Sequence, residues 1–233
     1  MASFPSTISA VAASPPNEAA LRSWEEADPV LFAAHPIPKS TIFATSPLSF
    51  AFVNLRPVVP GHVLVSSKRI APRFADLSPE EVSDLWILAQ KVGEVAERKQ
   101  QKEEEEEREE KTSSSTSPPP SASPSPPPSA LTFALQDGPS AGQSVPHVHV
   151  HVIPRGGRGD RFLGEAENDK LYPELQRNGE GLSEELAESE GGRKGKSSAV
   201  PVPDSSTTER RDRTLQEMEQ EAAALRDLFA KAV

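Results

Sequence analysis

The stretch Pro146–Arg155, P-H-V-H-V-H-V-I-P-R, limits what this chain can fold into more than any other. His147, His149 and His151 alternate with Val148, Val150 and Val152. Strict alternation with β-branched residues is the pattern of a strand with two unlike faces. In a strand, residues i, i+2 and i+4 share a face, each about 6.5–7 Å from the next. The valines are expected to look into a core and the three imidazoles to share one polar surface, in a strand beginning at His147. The chain has only five histidines, so three on one face point to a purpose.

Such a strand needs neighbours, and the flanking sequence supplies them. Ser40–Thr45 and Ser49–Asn54 are β-rich runs separated by Ser46-Pro47-Leu48, a spacing that suits a hairpin. A loop at Arg56–Gly61 leads to a third strand, His62–Ser66, and Leu131–Leu135 reads as a fourth ahead of the histidine strand. Ser78-Pro79-Glu80-Glu81 is a helix start: Ser78 as N-cap, Pro79 at the first helical position, Glu81 completing a capping box. Val82, Leu85, Trp86, Ala89, Val92 and Ala96 then fall on one helical face, and the helix is expected to fray in Glu103–Glu110. Thr214–Phe229 closes the chain as a second helix, with a capping box at Thr214 and Glu217 and a stripe of Leu215, Met218, Ala222, Leu225 and Phe229. Five short strands and two main helices in this order predict an α+β fold with a five-stranded antiparallel sheet.

Composition limits how much of the chain that fold includes. Hydrophobic residues make up 35% of the 233, and 24 prolines compete with regular structure. The bias is concentrated, so residues 1–31 are expected as a flexible lead, with a short helix near Leu21 and Trp24 leading toward the first strand, and 32–233 as one domain. Low-complexity insertions at about 101–129 and 176–212 interrupt it. The first carries seven glutamates against Lys102 and Arg108 between Gln101 and Glu110, half of the net charge of −10. That balance gives no electrostatic reason to expect nucleic acid. No apolar run approaches a membrane span. The chain contains no cysteine, which removes thiolate and Cys-zinc chemistry and suits the cytoplasm, with the nucleus allowed; an early basic residue is missing from the first sixteen, so mitochondrial targeting is weakly supported.

Three chemistries fit imidazoles at this spacing. His-x-His on a strand can supply two zinc ligands, although Asp137 and Asp160, the nearest carboxylates, have no compelling spacing. The histidines could also lie on the solvated face of an edge strand. The third is nucleophilic attack on phosphorus, since a neutral imidazole is nucleophilic near pH 7 and its neighbours can fix its tautomer or protonate a leaving group. Gly138 and Gly142 favour a loop whose N–H groups turn toward an anion, which supports phosphate over metal.

His147-Val148-His149-Val150-His151-Val152-Ile153 resembles the histidine-triad (HIT) motif of nucleotide hydrolases and transferases. Ser49–Val65, Leu131–Val145, Pro154-Arg155 and Glu221–Arg226 resemble its Fhit branch, whose members are dinucleoside polyphosphate hydrolases cleaving diadenosine triphosphate to AMP and ADP. The resemblance implies that His149 is the nucleophile carrying a nucleotidyl intermediate, with His147 and His151 orienting it and contacting phosphate and leaving group. It implies substrate contacts at His35, Gln136, Gly142, Gln143, Ser144 and Val145, a ribose contact at Asn54, and a supporting buried histidine at His62. Asn54 could instead cap the turn before Arg56-Pro57, and His62 could be an ordinary core histidine. A divalent cation, Mg²⁺ or Mn²⁺, is expected with the substrate, no resident metal site is expected, and a homodimer is implied. The alternatives are a phosphoramidase or nucleotidylyltransferase with the same intermediate, or a nucleotide-dependent signalling module whose 101–129 insert recruits a protein partner.

Overall fold

The computed structural model describes residues 24–114, 129–157, 159–164, 166–175 and 212–232. Most of the two expected insertions, and the lead before Trp24, lie outside these residues. The expected hairpin forms from β3 (Ile42–Thr45) and β4 (Ser49–Val53), preceded by a 3₁₀ turn at Lys39–Thr41. With β5 (Val63–Ser67), β6 (Ala130–Leu135) and β7 (His149–Arg155) they make one antiparallel sheet in the order β3-β4-β5-β7-β6. The histidine strand is thus interior, with His151 opposite Leu64 and Ala134, and His149 opposite Ser66.

Period-2 alternation puts every second residue on each side of this sheet. Val63, Val65, Val148, Val150 and Val152 enter a core shared with α1 (Pro79–Ser114) and α2 (Leu215–Ala232). Leu85, Ala89 and Val92 supply the helix side of that core; fully burying a side chain such as Leu85 stabilises by about 2 kcal/mol. The capping box is present: Ser78 N–H donates to Glu81 Oε2 at 2.8 Å, and Glu81 N–H to Ser78 Oγ at 3.3 Å. Glu81 is buried and also takes a two-pronged ion pair from Arg69, at 2.8 and 2.6 Å.

The helices depart from expectation in three places. Trp86 is 39% exposed, turned off the core face and edge-on to Phe133. Leu215, in the first turn of α2, is also exposed. α1 continues through the acidic run to Ser114 instead of fraying within it. At 1.5 Å per residue its 36 residues span roughly 54 Å, well past the sheet it covers.

The other side of the sheet holds a second, smaller core that the sequence did not announce. Trp24, Ala27 and Val30, from the segment expected as part of the lead, pack here: Trp24 sits 5.3 Å from Phe50, and Val30 is fully buried. The segment runs into a two-stranded sheet, β1 (Val30–Phe32) and β2 (His35–Ile37), which covers Phe50, Phe52 and Leu64. This cover buries the histidine face. His147, His149 and His151 are 0%, 5% and 8% exposed, so the expected polar surface is an interior one.

Candidate active site

The strand pattern carries one error of consequence. β7 begins at His149, and His147 lies in the bend that precedes it, where Val148 N–H donates to Ala71 O at 2.8 Å. The three rings therefore have different surroundings.

His147 is closed on both nitrogens. Ala33 N–H donates to its Nδ1 at 3.1 Å, so that nitrogen carries the lone pair. Nε2 is then the protonated one and donates to Ser67 O at 2.9 Å, with Ser67 Oγ at 3.2 Å. Phe32 stacks on the ring at 5.2 Å. Burial pushes the pKa of this imidazole from 6.5 down to about 4, so it is neutral at pH 7. His147 does not line the pocket; both ring nitrogens are bonded within the fold, and they tie the β1–β2 turn to the sheet.

His149 is held from behind. Its Nδ1–H donates to His147 O at 2.7 Å, which leaves the lone pair on Nε2. Burial lowers its pKa, with the bond to His147 acting in the opposite sense. The ring meets Phe32 and His151 edge-on, at 5.2 and 4.9 Å between centroids.

His151 ends a chain of bonds that starts at a backbone amide. Val58 N–H donates to His62 Nδ1 at 3.2 Å, so His62 is protonated on Nε2. His62 Nε2 lies 3.0 Å from His151 Nδ1 and donates to it, which places the proton of His151 on Nε2. That Nε2 is buried and has no hydrogen-bond partner among the described residues. An unsatisfied buried donor is costly unless something visits it. Burial lowers the pKa of His151 well below the usual value, and the neighbouring His149 and His62 add to this.

His149 and His151 open on a cavity of about 380 Å³ between the β1–β2 hairpin and the sheet. Phe32, Ile37, Phe52 and Leu64 make its walls apolar, while His35, Asn54, Ser144 and Val145 also reach it. Burial lowers the pKa of His35 too. Size and lining suit a flat heteroaromatic group with a polar tail.

Not every expected contact faces this cavity. Gln136 and Gly142 are not among its lining residues. Gln143 is turned into its own loop, where Oε1 accepts from Gly138 N–H at 2.8 Å and Nε2 donates to Pro72 O at 3.0 Å. Gly138 (φ 93) and Gly142 (φ 87) do occupy conformations that favour glycine, but the amides of Ala141, Gly142 and Gln143 bond to carbonyls inside the loop. The glycines shape the loop, and Ser144 and Val145 are the part that reaches the pocket. Asn54 lies at the wall, yet its Oδ1 accepts from Arg56 N–H at 3.0 Å and its amide nitrogen faces the His62 ring, as the turn-capping alternative predicts.

The carboxylates considered for zinc are engaged elsewhere. Asp137 is bridged by Arg73 at 2.9 and 3.1 Å and by Phe74 N–H, and Asp160 pairs with Arg155 at 2.8 Å. Among the described residues, no group of three or more His, Asp or Glu is disposed to hold a metal.

Residues missed in the sequence are Phe32, Ala33, Ile37, Ser67, Val58 and Met218. β1 and β2 have three residues each, too few for any periodicity, and Val58 and Ala33 act through backbone amides, which carry no side-chain signal.

Fold and site together define an α+β protein in which two buried imidazoles line an apolar pocket, one with a lone pair and the other with a proton on Nε2. The HIT domain family matches residues 37–157, and the chain belongs to that family. It is 37% identical over 198 residues to the bifunctional bis(5′-adenosyl)-triphosphatase/adenylylsulfatase FHIT of Arabidopsis thaliana, covering 85% of this chain and 83% of that one. Over 154 residues it is 42% identical to the bis(5′-adenosyl)-triphosphatase of Dictyostelium discoideum, covering 66% and 83%. It is also 36% identical over 199 residues to the asymmetrical bis(5′-nucleosyl)-tetraphosphatase of Schizosaccharomyces pombe, covering 82% and 90%. The resemblance to the Fhit branch read from the flanks of the triad agrees with these relatives.

Proposed function

We propose that the chain hydrolyses dinucleoside polyphosphates, diadenosine triphosphate to AMP and ADP in the first instance, by way of a nucleotidyl-histidine. The observation that carries this reading is the pair of unlike imidazoles lining the cavity: a lone pair on His149 Nε2 and a proton on His151 Nε2. His149 Nε2 attacks the α-phosphorus, the bond from that phosphorus to the bridging oxygen breaks, and ADP leaves with the electron pair. His151 Nε2–H donates to the departing oxygen. The new N–P bond places positive charge on the His149 ring, which its Nδ1–H disperses onto His147 O. Water then attacks phosphorus, the His149 Nε2–P bond breaks with its electron pair returning to Nε2, and AMP leaves as the water's proton passes to solvent, dividing one displacement into two easier ones. The cavity has room for one nucleoside and its first phosphate, leaving the second nucleoside outside.

The polyphosphate is taken as its Mg²⁺ or Mn²⁺ complex, which lowers the charge brought to a buried pocket. A homodimer belongs to the same reading. Its surface is the outer edge of β6, where Phe133 and Trp86 are exposed together, and sedimentation equilibrium of wild type against Trp86→Glu checks it. The acidic end of α1 is the surface for a protein partner, and the cytoplasm or nucleus is the compartment.

The names of the relatives differ in polyphosphate length and in a sulfate-linked substrate, so product analysis should compare diadenosine triphosphate, diadenosine tetraphosphate, adenylyl sulfate and adenosine phosphoramidate. Rapid quenching and mass spectrometry should find an AMP adduct on His149 with the triphosphate. Turnover of none of the four, or an adduct elsewhere, overturns the proposal.

A further inference from the structure

One charged side chain from far along the sequence holds the segment that leads into the histidine relay. Arg213 stands just before α2, and its Nε donates to Asn54 O at 3.0 Å. Its Nη2 bonds the same carbonyl, and its Nη1 pairs with Glu221 on α2. The backbone N–H of Arg213 donates to Leu55 O at 3.1 Å, and the adjacent Asp212 pairs with Arg56. Residues 212–213 thus clamp the start of the irregular segment 54–58. A guanidinium that gives two hydrogens to one carbonyl and a third to a carboxylate is fixed in direction as well as in place. Glu221 balances its charge, and it does not line the cavity, so its effect on the site is geometric.

The segment it fixes carries the amide that sets two tautomers. Asn54 bonds Arg56 N–H through Oδ1 and faces the His62 ring through its amide nitrogen. Four residues on, Val58 N–H holds His62 Nδ1 as an acceptor. With that bond, His62 donates from Nε2 and His151 keeps its proton on Nε2. Without it, His62 can move its proton to Nδ1, Nε2 becomes an acceptor, and His151 must donate from Nδ1. His151 Nε2 would then carry a lone pair where it had carried a proton.

We propose that Arg213 is a positioning residue for the proton donor: by clamping Asn54 it keeps Val58 N–H on His62, and so keeps the proton of His151 on Nε2, the ring nitrogen not bonded to His62. The kinetic part rests on the nucleotidyl-transfer reading above; the tautomer part does not. The side chain of Val58 is also anchored, in a cluster with Val59 and Ile153, so loss of the clamp loosens the relay without abolishing it.

Two measurements on Arg213→Ala test this. Ring-nitrogen NMR of the five imidazoles should show His62 and His151 as Nε2–H tautomers in the wild type and as mixtures in the variant, with His147 and His149 unchanged. Turnover of AMP aryl esters should fall by a factor that grows with leaving-group basicity, from about twofold for nitrophenol to a few tens for phenol, with KM steady, as partial loss of a general acid requires. A lesion that is only structural lowers all esters alike. Unchanged His62 and His151 tautomers, or a uniform loss across the esters, overturn the proposal. If Arg213→Ala does not fold, Arg213→Lys, whose ammonium cannot serve Asn54 and Glu221 with the same geometry, should move both readouts in the same direction by less. If no ester turns over even in the wild type, the function reading fails and the ring-nitrogen spectra alone decide the role of Arg213.

Discussion

His147 and His151 flank the same imidazole, and one is closed by backbone partners while the other opens on the pocket. At the His147 end, Ala33, Ser67 and Phe32 account for both nitrogens and one ring face. At the His151 end, one nitrogen is bonded to His62 and the other is buried with no partner among the described residues. Identical side chains, two residues either side of His149, therefore do different work. The closed one contributes to holding the fold, and the open one leaves a donor without a partner among the described residues. The difference arises because β7 begins at His149: His151 is inside a strand and projects with the sheet, while His147 belongs to the bend where the β1–β2 turn docks.

The largest expected effect lies on neither flank. His149→Asn should lower turnover by at least about 10³-fold while substrate still binds, because the amide keeps a polar group at the wall but cannot form the covalent intermediate. Calorimetric titration with diadenosine triphosphate and a turnover assay on the same sample read both halves. Residual turnover within tenfold of wild type would move the nucleophile elsewhere.

Replacing each flank in turn tests the contrast directly. His151→Asn should cost about 10²–10³-fold in kcat, the range of a lost general acid, with little change in denaturation midpoint. His147→Ala should do the reverse in kind: a stability loss of about 2–4 kcal/mol, from the cavity under Phe32 and the stranded Ala33 N–H and Ser67 carbonyl. Urea melts and kcat values for both variants settle it. Equal stability losses would erase the distinction between a closed and an open end.

The closed end also predicts a pH dependence. His147 titrates near 6.5 unfolded and near 4 folded, so the unfolded chain binds more protons between those values. Its contribution to stability is fully present above about pH 6.5, is lost as pH falls, and stops changing below about pH 4. That lowering corresponds to roughly 3 kcal/mol. His149 and His151 are lowered as well and push in the same direction. Unfolding free energy followed from pH 7.5 to 4.5 should therefore decline, and the decline should shallow in His147→Ala. A flat profile in the wild type would contradict the closed environment.

How much of this was legible in the sequence differs between the two ends. Val148, Val150 and Val152 read as a core face from their alternation, and Ser78 with Glu81 read as a helix start from spacing alone; those signals are local, so a single chain displays them. The histidine face held for His149 and His151 but not for His147, and it is interior where a polar surface was expected, because its cover comes from Phe32, over a hundred residues upstream, in a strand of three residues. Gln143 read as a substrate contact, yet its amide satisfies Gly138 and Pro72, a choice between local and distant partners that residue type does not reveal. The relay to His151 depends on Val58 N–H, and backbone donors are present at nearly every position, so nothing in the letters singles it out.

The smallest expected effect concerns the residue that closes His147. Ala33 has φ 54, a left-handed conformation that costs an L-residue with a Cβ about 1 kcal/mol, and it is the only non-glycine with positive φ among the described residues. The turn adopts it because this is how the Ala33 N–H reaches His147 Nδ1 between β1 and β2. Ala33→Gly removes the steric cost and adds some unfolded-state entropy, for a net stabilisation of roughly 0.5 kcal/mol. Because the N–H survives, His147 should keep its Nε2–H tautomer and kcat should stay within about twofold of wild type. A destabilised Ala33→Gly would mean that the methyl group itself packs at the closed end, making side-chain contact as well as the amide bond part of what holds His147.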